Sequence, residues 1–130
     1  MTNQEINRLY NQLDGLSPEE IEKIVSKELG VAAGGGIVGA GIFAGAICGA
    51  VFNNKWTPEK VMAICKTSVA NASQSIRKIM HDNPKATNYS LEIIQLVAPA
   101  IAQQYCGISG MAIVGSLSIL CKQGISNYIS

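Results

Sequence analysis

The feature that most limits what this chain can fold into is a run at residues 27–55, KELGVAAGGGIVGAGIFAGAICGAVFNNK, which holds eight of the thirteen glycines. Residues 29–52 carry no charge. In water each glycine inside a helix costs about 1 kcal/mol against alanine, so this density needs a compensating use. Three are open: a membrane helix, a tightly packed core helix, or a processing site. On a helix Gly41, Gly45 and Gly49 fall at i, i+4 and i+8 as one smooth stripe, opposite Phe43, Ile47 and Val51. Such a glycine zipper lets two helix backbones approach closely. As a helix, residues 29–52 would extend about 36 Å, against about 30 Å of bilayer hydrocarbon. Asn53, Asn54 and Lys55 end the run.

Charge divides the chain in two. Residues 1–35 carry three basic side chains against six acids, a net −3; residues 36–130 carry seven against three, a net +4. An acidic head, 1–35, joined to a cationic and apolar body, 36–130, implies two parts with different roles. The overall balance of +1 makes no case for nucleic acid. The first apolar run begins only at Leu29 and is preceded by acids, so no secretory signal peptide is expected.

Local signals are helical almost throughout. Thr2 and Glu5 fit a capping box, with Ile6, Leu9, Leu13 and Leu16 at helical spacing and a break at Asp14–Gly15. Ser17, Pro18 and Glu20 form a fuller start signal for a second helix through Leu29. Thr57 and Pro58 repeat it for a third, whose stripe is Val61, Cys65, Val69, Ala72, Ile76 and Ile79. After a polar loop at 81–90 a fourth helix runs to Tyr105 past Pro99, and a fifth from Ile108 to about Gln123. No strand-like alternation occurs, so the expected class is all-α, a small bundle of about five helices. Residues 93–121 again lack charge. Two uncharged stretches with a cationic amphipathic helix between them suit a membrane-active protein.

Residues 24–35, IVSKELGVAAGG, resemble the double-glycine leader of bacteriocin and class II lanthipeptide precursors. Ile24 stands at the family's first apolar position, Glu28-Leu29 reproduces its acid–leucine pair, and Gly34-Gly35 its terminal pair. Val25 departs from the usual serine, and Ala32 from a larger aliphatic residue. The resemblance implies recognition through Ile24, Glu28 and Leu29 and cleavage after Gly35, or one residue later because Gly36 follows. It also implies export by a transporter that carries its own peptidase domain. Gly34 and Gly35 would then serve cleavage, while Gly41, Gly45 and Gly49 serve packing.

Cys48, Cys65, Cys106 and Cys121 include no C-x-x-C pair, and His81 is the lone histidine, so no metal site is expected. Cys48 and Cys65 lie almost equally far from Trp56, so in an antiparallel hairpin they come level and could pair by a disulfide; free thiols packed as small core residues are the alternative. Three acids after residue 36 and a single histidine make no catalytic grouping, and no cofactor motif occurs. The expectation is a secreted, non-enzymatic, bacteriocin-like precursor. Its leader directs export and its helical body binds and permeabilises membrane lipid, as a monomer or a homo-oligomer. The alternative is an uncleaved all-α interaction or immunity-type protein, cytoplasmic or in a membrane.

Overall fold

A computed structural model describes residues 1–29, 56–82, 89–105 and 107–129. Among them the fold is all-α, with six helices and no strand. The zipper glycines Gly41, Gly45 and Gly49 lie outside the described residues.

Four of the six described helices start where a hydroxyl, that of Thr2, Ser17, Thr57 or Ser109, accepts an orphan amide. Helix α1 (Asn3–Leu13) is capped by Thr2, whose Oγ1 accepts the Glu5 amide at 3.1 Å. It ends at Asp14, and Gly15 turns the chain at φ +86°. Helix α2 (Pro18–Glu28) has both halves of the capping box: the Glu20 amide donates to Ser17 Oγ at 3.1 Å, and the Ser17 amide to Glu20 Oε1 at 2.9 Å. Hydrogen bonds that the carboxylate receives from Ser17, the backbone amide first and the side chain second, hold the Glu20 carboxyl below the usual value.

The third expected helix is two. Helix α3 (Pro58–Asn71) stops at Ala72, whose backbone leaves the helical region (φ −100°, ψ 18°), and α4 (Ser73–Asp82) follows. At the break Ser73 Oγ donates to the Ala70 carbonyl at 2.6 Å, a side-chain bond that competes with the backbone ladder. The apolar stripe survives the break: Val61, Cys65, Val69 and Ile76 have no exposure.

Helix α5 (Tyr89–Gln104) runs through Pro99 and buries Ile93, Ile94, Val97, Ala98 and Ile101. Gln95 Nε2 donates to Asn7 Oδ1 at 2.6 Å, which ties α5 to α1. Helix α6 (Gly110–Gly124) is capped by Ser109, whose Oγ accepts the Ala112 amide at 3.1 Å. Gly124, at φ +106°, ends it and leads into a short 3-10 turn, Ile125–Asn127.

Helix α6 is the axis of the fold. Every residue from 112 to 120 is buried. A helix apolar on all sides must be enclosed by protein or by lipid, and here α1, α2, α3 and α5 pack around it, α2 most extensively. Helix α4 lies outside, against α5 and α3.

Candidate functional site: the cover over the central helix

The residues that the leader resemblance singles out sit on α2 and just beyond it. Ile24 and Leu29 are half-buried against the core, and Glu28 is exposed. The Leu29 amide still donates to the Val25 carbonyl at 2.9 Å, so the helical geometry extends through it. Sequence spacing hides the division of labour on this helix. Ile21 and Val25, at 0% and 2% exposure, are its core residues. Glu19, Glu20, Glu22 and Lys23 face solvent. Gly34, Gly35 and Cys48 lie outside the described residues, and with them the cleavage pair and one end of the expected disulfide.

The contact beneath α2 is close. A Cβ placed on Gly115 would stand 2.6 Å from Val25 Cγ2, 3.4 Å from Ile21 Cγ2 and 3.9 Å from Leu13 Cδ1. A Cβ on Gly110 would stand 2.9 Å from Met1 Cε and 3.2 Å from Leu9 Cδ1. Both glycines of α6 that lie against other helices are thus covered by residues 1–29. They were visible in the sequence as small residues in an apolar run; their partners were not, because no local pattern pairs residue 25 with residue 115.

Beside this contact a groove of about 400 Å³ runs between α2, α3 and α6, lined by Glu22, Val25, Met62, Lys66, Ser116 and Ile119 among others. At its Lys66 side the ammonium lies 5.6 Å from the centre of the Tyr128 ring, a cation–π distance. Ser116 and Ser118 are 1% and 2% exposed, and the hydroxyl of each has no hydrogen-bond partner. Helical serines ordinarily satisfy themselves on the preceding turn, so two orphans two residues apart, on different sides of the axial helix, are unusual. A buried orphan costs about 1–3 kcal/mol.

The two described thiols, Cys65 and Cys121, are poor nucleophiles. Cys65, free and with no exposure, is pushed up to about 12 by burial. Cys121, free and half-buried, is pushed up to about 11 by burial, against smaller opposing effects from a Ser90 hydrogen bond and Lys122. Tyr10 is raised by the same cause, with Asp14 and Cys121 adding to it and a Ser90 bond opposing. Both thiols and the phenol therefore stay neutral at pH 7. Among the described residues no group of three or more His, Cys, Asp or Glu side chains comes together to hold a metal. No described helix is long and apolar enough to cross a membrane.

Comparison with family models, with curated proteins and with solved structures finds no match to this chain.

Proposed function

We propose that the protein is a bacteriocin-like precursor in which the N-terminal helices hold an apolar helix out of contact with membranes until they are removed. The observation that carries this reading is the cover over α6. Among the described residues, helices α1 and α2 bring five of the 21 buried apolar ones: Ile6, Leu9, Leu13, Ile21 and Val25. At 1.5–3 kcal/mol for each side chain, their burial contributes roughly 8–15 kcal/mol. That is about the whole net stability of a domain this size. Cleavage after Gly35 separates these residues covalently from α6. Once they dissociate, α6 has lost one side of its enclosure and needs another apolar environment.

The charge pattern suits the same sequence of events. Lys60, Lys66, Arg77, Lys78 and Lys122 are exposed on the body. Each contributes about 1 kcal/mol of attraction near an anionic lipid surface. The acidic outer face of α2 opposes that attraction while the leader is attached. The proposed partners are a peptidase-containing export transporter, then membrane lipid, and the proposed site of action is outside the producing cell.

The intact mass of the protein found outside the producing cell tests this reading. A chain that begins at Gly36, or at Ile37, supports it; a chain that begins at Met1 overturns it. The second reading, an uncleaved interaction or immunity-type protein, is favoured by the same shared core, since residues 1–29 pack as part of one bundle. It predicts the full mass, and a cleaved chain that stays folded as a two-piece complex.

A further inference from the structure

We infer that the apolar face of α2 has two mutually exclusive occupants, α6 in the folded precursor and the export peptidase during processing, so that the leader is cut only from chains in which α2 has left the bundle. The inference rests on the leader reading above and names what regulates it. Helix α2 has one apolar face. Viewed down its axis at about 100° per residue, Ile21, Ile24, Val25 and Leu29 fall within about 140° of one another. Ile21 and Val25 are buried, and Ile24 and Leu29 are half-buried against the same core. The rest of the helix presents Glu19, Glu20, Glu22, Lys23 and Lys27 to solvent.

A cut beside two glycines takes no specificity from the residues at the cut, because they have no side chains. The peptidase must hold the chain upstream, where α2 offers it a charged face or the apolar one. Exposed ion pairs contribute little and are screened by salt, so the apolar face is the stronger grip. In the folded chain that face is closed. A single Cβ added to Gly115 would stand 2.6 Å from Val25 Cγ2 and 3.4 Å from Ile21 Cγ2. A contact that excludes one methyl group also excludes a peptidase surface. Fraying does not free Leu29 either, since its amide still donates to the Val25 carbonyl at 2.9 Å. Opening must therefore expose Ile21 and Val25 together. Their burial alone holds the open fraction to about one in a hundred or less. Where opening and reclosing are faster than cleavage, the cleavage rate follows that fraction.

The test gives two substrates, the full chain and a synthetic peptide of residues 1–40, to the isolated peptidase domain of a double-glycine leader transporter, with cleavage followed by mass spectrometry. The peptide should be cut about 100-fold faster than the full chain, or more. Gly115→Val leaves the leader sequence untouched but forces a side chain against Val25 and loosens α2. It should speed cleavage of the full chain about tenfold or more, up to the rate of the peptide where the variant does not fold. Ser116→Ala acts in the other direction. The Ser116 hydroxyl is an orphan in the groove lined by Glu22 and Val25, and it meets water once α2 leaves. Its removal favours the closed state and should slow cleavage about fivefold or more. A full chain cut as fast as the peptide overturns the inference and leaves the leader reading standing. So does either variant chain if it is cut at the parent rate. A peptide that is not cut overturns the leader reading, and the inference with it.

Discussion

Gly115→Ala gives a sharp test of how α2 is seated, because two effects of known sign oppose each other at one atom. On helix propensity alone the substitution should stabilise α6 by about 1 kcal/mol. The new Cβ, however, would stand 2.6 Å from Val25 Cγ2, closer than packed carbons tolerate. Valine on a helix has essentially one rotamer, so its methyl cannot swing aside and α2 itself has to move. Overpacking of this kind costs about 1–3 kcal/mol. The net expectation is a loss of about 0–2 kcal/mol in urea unfolding of the full chain. Val25→Ala removes both the obstacle and two methyl equivalents of buried surface, so alone it costs about 1.5–3 kcal/mol. In that background Gly115→Ala should be stabilising by about 1 kcal/mol, because only the propensity remains. The double-mutant cycle therefore has a coupling of about 1–3 kcal/mol that favours the double variant. If Gly115→Ala stabilises equally in both backgrounds, Val25 does not sit on Gly115 and the cover over α6 is wrong.

Other expected outcomes follow from the same contacts. Ser17→Ala removes the Oγ that accepts the Glu20 amide, leaving the residue-17 amide free to donate to the Glu20 carboxylate, and should cost about 1 kcal/mol in urea unfolding, with the amide of Glu20 exchanging faster. The Glu20 carboxyl is depressed, so its contribution to α2 is present above the unfolded-state value and fades as pH falls through the lower folded value; side-chain NMR should place its midpoint below the usual 4.5, and Ser17→Ala should move it only part of the way back, because the residue-17 amide still donates to the carboxylate. Cys65, pushed up to about 12 inside the core, should resist iodoacetamide at pH 8 in the folded precursor and react fully in urea, as read by peptide mass mapping. Bulky residues in place of Gly34 and Gly35 should leave uncleaved precursor inside the producing cell.

The helix starts were legible in the sequence because each depends on a few adjacent residues. Thr2, Ser17 and Thr57 cap the helices that Glu5, Glu20 and Pro58 announce. The break at Ala72 was not legible. The stripe of Val61, Cys65, Val69, Ala72 and Ile76 keeps helical phase across it, and the interruption coincides with a hydroxyl bond of Ser73 rather than with glycine or proline. Nor was the central place of α6. Its sequence reads equally as a membrane span or a core helix, and the choice depends on what lies around it. The strongest local contrast in the chain, acid before residue 35 and base after it, implies two parts with different roles. That residues 1–29 share one core with the rest could not be read from it, because the apolar faces of α1 and α2 obey a period that net charge does not report. Likewise Ile24 and Leu29 stood out by motif, while Ile21 and Val25 bear most of the packing of α2.

The central claim is that α1 and α2 mask a membrane-active helix, and dye release from anionic phosphatidylglycerol vesicles tests it most directly. The full chain is added intact, then cleaved in place after residue 35 by an engineered protease site. The account predicts no release before cleavage, release that rises as the 1–35 fragment leaves, and suppression when excess 1–35 peptide is added back. A cleaved chain that stays a monomeric two-piece complex and releases no dye at any concentration would contradict it, as would an intact chain that releases dye equally well.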